Sequence, residues 1–113
     1  PISREFNYQI DEDTGRLAVT AVTEVIRDVR HGIGLLLWKA HQNGKPSLSR
    51  REIVAELGRA KGYSSGSVAN SLTRASGGRR PMVIRVGSMP GHWKLTPVAR
   101  EWFERHEGDP MPP

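Results

Sequence analysis

The chain has no cysteine. That absence removes disulfide frameworks, thiolate zinc sites and cysteine nucleophiles, and it makes an intracellular, reducing compartment the plain expectation. Long apolar runs are also missing. The longest, Leu35-Leu36-Leu37-Trp38, falls far short of the roughly 20 residues that span a bilayer, and the N-terminus lacks the basic-then-apolar pattern of a signal peptide. No membrane partner is therefore expected. His31, His41, His92 and His106 are scattered without zinc-ligand spacing, and neither HExxH nor a glycine-rich phosphate cradle occurs. Gly87-Ser88-Met89-Pro90-Gly91 joins two predicted strands, where a nucleophile elbow needs a strand-to-helix turn. The reading is of a protein with no catalytic residues, no metal site, no cofactor and no enzymatic activity.

Acidic side chains are scarce in one place only. Residues 45–94 hold ten basic residues against Glu52 and Glu56, net +8, while residues 1–44 carry −1 and residues 95–113 carry −2. A block of that sign and density is the footprint of a segment that neutralises phosphates, although an ordinary solvated surface remains the bland alternative. At 113 residues, with Gly and Pro together only 20, the chain fits one domain with a modest core. It opens at Pro1, which fits a processed chain or a piece of a larger protein.

Periodicity divides the chain into elements. Phe6, Tyr8 and Ile10 alternate, as do Leu17, Val19 and Ala21, with Asp11-Glu12-Asp13-Thr14-Gly15 between them; this reads as a β-hairpin. The apolar set Val22, Val25, Ile26, Val29, Ile33, Leu36, Leu37 and Ala40 recurs at three and four and could be run back to Ala18. The favoured reading is a helix from about Thr23, with a break or kink near His31-Gly32, because Gly32 and Gly34 each cost a helix interior roughly 1 kcal/mol. Ser49 and Glu52 form a capping box that starts a second helix at Arg50, with Ile53, Val54 and Leu57 inward. Ser64 or Ser65 caps a third, with Val68, Leu72 and Ala75 inward and Ser67, Asn70 and Arg74 on the opposite side. Residues 82–86 and 92–95 then alternate as strands, with Arg85 and Lys94 together on the face opposite Ile84, Val86, Trp93 and Leu95. Thr96 caps a closing helix with Pro97 at its first position and Val98, Ala99, Trp102 and Phe103 as its apolar stripe. Trp38, Tyr63, Trp93 and Trp102 fall at apolar-periodic positions and are expected in the core, which argues against a single-strand binder that stacks bases on exposed aromatics.

The run Arg51-Glu52-Ile53-Val54-Ala55-Glu56-Leu57-Gly58, followed by Tyr63-Ser64-Ser65-Gly66-Ser67-Val68-Ala69-Asn70-Ser71-Leu72 and later Trp93-Lys94-Leu95-Thr96-Pro97-Val98-Ala99-Arg100, resembles the winged helix-turn-helix superfamily, in its MarR-like and PadR-like patterns, over residues 33–106. The turn 58–62 is longer than usual, and Ala99 stands where glycine is common. The resemblance implies an α+β, mainly helical fold, a winged helix-turn-helix with a C-terminal β-hairpin wing; the extra N-terminal β-hairpin read from the alternation has no counterpart in it. Residues 1–22 form the hairpin extension, 23–106 the winged-helix domain and 107–113 a disordered tail.

The function this implies is double-stranded DNA binding, as a cytoplasmic, nucleoid-associated transcriptional regulator. The helix 65–76 would enter the major groove with Ser67, Asn70 and Arg74 at base edges. Ser64, Ser65, Arg50, Arg51, Lys45, Arg79 and Arg80 would meet the phosphate backbone, and Arg85, Lys94 and Ser88 would act from the wing 82–95. A homodimer is expected, with the N-terminal hairpin and first helix making the partner contact. The alternative is a protein-interaction or DNA-binding module of a larger replication, conjugation or helicase protein.

Overall fold

The computed structural model describes residues 8–10, 17–19 and 26–113. Strands β1 (Tyr8–Ile10) and β2 (Leu17–Val19) pair antiparallel, with Tyr8 opposite Val19. The expected hairpin strands thus pair, while the turn at 11–15 and residues 20–25 lie outside the described residues.

Helix α1 (Val29–Gln42) begins where a cap can form and not where its apolar period begins. Asp28 accepts the His31 N–H at 2.8 Å, and Ile26, read as helical from its spacing, lies ahead of the helix and is buried there. The expected start near Thr23 is therefore corrected to Val29: a carboxylate that satisfies an orphan N–H fixes a helix start more firmly than a hydrophobic repeat.

The expected break at His31-Gly32 does not occur, since α1 runs unbroken to Gln42. Its two glycines serve packing. A Cβ on Gly34 would lie 2.8 Å from Phe103 Cε2 and 3.0 Å from Met82 Sδ, and one on Gly32 would lie 2.9 Å from Leu57 Cδ2. The helix accepts the propensity cost so that its neighbours can close on its backbone. His31 is itself buried. Its Nδ1 accepts the Arg27 N–H at 3.0 Å, so the proton sits on Nε2, 2.7 Å from the Gly108 carbonyl.

Around α1 stand α2 (Arg50–Lys61), α3 (Ser65–Ala75), α4 (Pro97–Arg105) and an antiparallel sheet in the order β3 (Leu48–Ser49), β5 (His92–Leu95), β4 (Val83–Arg85). The inward stripes are Ile53 and Leu57 from α2, Val68, Leu72 and Ala75 from α3, and Ala99 and Phe103 from α4. Leu48, Val83, Trp93 and Leu95 close the sheet side, and the Trp38 and Phe103 rings stack at 6.0 Å between centroids. Every residue of α1 from His31 to Trp38 is buried within the one chain.

Four further expectations change. Gly58 does not end α2: residues 58–61 stay helical and Gly62, in the left-handed conformation at φ 70°, makes the stop. The link to α3 is then only residues 62–64. Val98 points outward, 57% exposed. In the β4–β5 hairpin, Ile84 is opposite Lys94 and Arg85 opposite Trp93, and residues directly opposite share a face of the sheet. Arg85 therefore lies on the Trp93 side, its guanidinium 5.1 Å from that ring, while Ile84 and Lys94 face outward. Finally, residues 107–113, read as a disordered tail, run back along α1 and α4. His31 reaches the carbonyl of Gly108, Trp102 Nε1 donates to that of Asp109 at 3.2 Å and Arg30 to that of Met111, whose side chain is buried.

Close packing at Gly34 makes a signed prediction. Gly34→Ala should lower unfolding stability by about 1–2 kcal/mol despite the better helix former. Gly66→Ala, where an added Cβ meets nothing within 4 Å, should raise it by a few tenths to about 1 kcal/mol. Urea denaturation of both variants checks the contrast.

Candidate nucleic-acid interface

The starts of α2 and α3 come together where the two helices pack on one another, and each is capped by a short side chain. Ser49 Oγ accepts the Glu52 N–H at 3.1 Å, and Glu52 Oε1 accepts the Ser49 N–H at 3.1 Å, completing the capping box. The second carboxylate oxygen of Glu52 meets Lys45 Nζ at 2.7 Å. In α3 the cap is Ser64, which accepts the Ser67 N–H at 3.1 Å and donates its own hydroxyl to Ser67 Oγ at 3.0 Å. Ser65 is left exposed at the first position of the helix.

The loop between β4 and β5 is fixed to this corner. Arg50 donates its backbone N–H to the Gly91 carbonyl at 2.8 Å, and within the loop Met89 donates to Val86 and His92 to Met89. Gly91 takes φ 77°, a conformation that suits glycine. The result is an open groove of about 690 Å³ walled by Arg50, Arg51, Val54, Ser65, Pro90 and Gly91. No carboxylate lines it. The chain was compared with family models, curated proteins and solved structures. It matches none of them.

Beside the groove runs the solvent face of α3. Gly66, Ser67, Asn70, Thr73 and Arg74 are exposed, while Val68, Leu72 and Ala75 anchor the opposite side. Asn70 and Arg74, one turn apart, therefore share one outward stripe. The structure thus brings Arg50, Arg51 and Ser65 together at the groove, with Ser67, Asn70 and Arg74 on the adjoining helix face.

The other residues singled out from the sequence sit elsewhere or are occupied. Lys45 is committed to Glu52, and the Ser64 hydroxyl to its cap. Arg79 and Ser88 are exposed, the first ahead of β4 and the second in the loop between β4 and β5. Arg80 lines a separate shallow groove with Val98, Glu101, Trp102 and Met111. Arg85 leans on Trp93, and Lys94 opens onto the far side of the sheet with His41 and Arg100. Pro90 and Gly91 carry no charge and escape a search for cations; the turn-forming run 87–91 was legible, but its attachment to Arg50 was not.

Glu52 is the acidic group nearest this corner in sequence, and its charge is held in place. Burial pushes its carboxyl up, but the hydrogen bonds from Lys45 and Ser49 and the Lys45 charge outweigh that and leave it below its ordinary value. A depressed carboxylate contributes stability above its unfolded pKa and loses it as pH falls through the folded one. The stability difference between the parent chain and Glu52→Gln should hold steady from pH 7 to about 5 and shrink below about 4.3, where the free carboxyl protonates. Thermal melts across pH test this; a difference that grows on acidification would contradict it.

Proposed function

We propose that the protein binds double-stranded DNA as a winged helix, with α3 in the major groove and the β4–β5 loop against the backbone, and that it acts as a sequence-specific transcriptional regulator. The reading is supported above all by one observation: Arg50, Arg51 and Ser65 wall a groove free of carboxylates, directly beside a helix face that presents Ser67, Asn70 and Arg74. Helix, helix, helix, two-stranded hairpin and helix follow in the order that the resemblance implies, with the short strand β3 added ahead of α2. The three-residue link 62–64 between α2 and α3 has the turn length usual in that pattern, in place of the longer 58–62 expected from the sequence.

Asn70 has the donor and acceptor pair that matches adenine, and Arg74 the fork that matches guanine. The exposed Ser65 hydroxyl and the first N–H groups of α3 suit a phosphate oxygen, since a helix N-terminus carries partial positive charge and unfilled donors. Arg50 and Arg51 flank the same position from α2. Binding of this kind is driven by release of counterions, so its strength falls steeply with salt.

Fluorescence anisotropy with duplexes selected from a random library tests both halves of the reading. Asn70→Ala and Arg74→Ala should each cost about 1–3 kcal/mol of discrimination at one base pair. Arg50→Ala and Arg51→Ala should weaken all duplexes alike and reduce the salt slope by about one each. Binding that is absent at low salt, or indifferent to salt, would overturn the proposal.

A further inference from the structure

Lys94 takes no part in the groove described above, and its own surroundings are unusual. It lines a second concavity with His41 from the last turn of α1 and Arg100 from α4, between walls made by Pro46, Leu95 and Pro97. Three cationic or protonatable side chains thus converge from three elements. No carboxylate lines the space, and neither 41–47 nor 92–100 contains an Asp or Glu.

Three other basic residues among those described are matched. Lys45 has Glu52, Arg59 has Glu56 and Arg105 has Glu101, whereas His41, Lys94 and Arg100 have no ion-pair partner among the described residues. Gathering like charges without a counter-ion is unfavourable, and an anion seated among them removes the repulsion. Two of the walls are prolines with fixed φ, Pro97 being the first residue of α4, so the shape is set before anything binds. The positive end of the α4 dipole opens at the same point. At about 160 Å³, the space has room for a phosphate group.

We propose that this concavity binds a phosphate group, with Arg100 pairing two oxygens through its guanidinium fork and Lys94 and His41 completing the charge around it. The group could belong to a free phosphate ester or to a nucleic-acid backbone. The assignment does not rest on the DNA reading of α3.

The test is a titration of the full chain with inorganic phosphate, followed by backbone amide shifts and compared with chloride at equal ionic strength. Saturable shifts at Lys94, Val98 and Arg100 are expected. Arg100→Gln should weaken phosphate binding about tenfold, the loss of one charge-assisted pairing, with an unchanged melting temperature. Arg105→Gln, which removes a paired arginine on the same helix, should leave phosphate affinity as it was. Shifts that rise linearly, or that chloride reproduces, overturn the proposal, as does an equal loss in both variants. A duplex arm identifies the source: if the phosphate is a nucleic-acid one, Arg100→Gln also lowers the salt slope of duplex binding by about one and duplex competes with inorganic phosphate. If the source is a free ester, duplex affinity is unchanged and phosphate still binds in its presence. Failure here leaves the duplex measurements on α3 standing, because the phosphate titration contains no DNA.

Discussion

The structure depends on a helix that must be covered on every side. Ile33, Leu35, Leu36 and Leu37 are all fully buried in α1, yet neighbours on a helix point about 100° apart, so no single contact could bury them together. The rest of the fold supplies the cover: α2, α3, α4 and β5 all pack on α1. Gly32 and Gly34 thin the helix where Leu57 and Phe103 approach most closely. The C-terminal segment completes the enclosure, with Gly108 seated against Leu35 and Trp38.

This central burial decides what remains outside. Helix α3 turns Val68, Leu72 and Ala75 inward, which leaves Ser67, Asn70 and Arg74 no direction but solvent. Helix α2 does the same with Ile53 and Leu57 and exposes Arg50 and Arg51 at its start. The β4–β5 loop is drawn to that start by the pairing of β3 with β5 and by the hydrogen bond from the Arg50 N–H to the Gly91 carbonyl. The proposed interface is thus the outer surface of the elements that bury α1, gathered at one corner by the packing of α2 on α3 and by the attachment of the loop to Arg50.

Features set by local chemistry were legible in the sequence. The Ser49–Glu52 box, the Thr96-Pro97 start and the inward stripe of α3 are each encoded within a few residues, and each stands where it was read. What depends on distant partners was not legible. Strand β3 is two residues long, too short for any periodicity, and exists through its pairing with Trp93 and His92. Met82, Val83, Ile84 and Val86 are all apolar, so alternation alone could not choose the inner face of β4; the register against β5 chose Val83 and sent Ile84 outward. The tail has no pattern of its own because its grips come from Arg30, His31 and Trp102. In the site, Arg50, Arg51, Ser65, Asn70 and Arg74 could be named from caps and period, but their meeting with Pro90 and Gly91 could not.

The same distinction sharpens the meaning of the charge. Eight net positive charges over residues 45–94 suggest one basic surface, but folding separates them: Arg50 and Arg51 line the α2–α3 groove, Lys94 a second concavity and Arg80 the groove beside α4. The central claim is that the first of these faces duplex DNA. Hydrogen–deuterium exchange with and without a selected duplex tests it most directly. The account predicts added protection at 49–51, 64–74 and 86–92, with residues 108–112 unchanged; protection confined to α4 and the tail would contradict it.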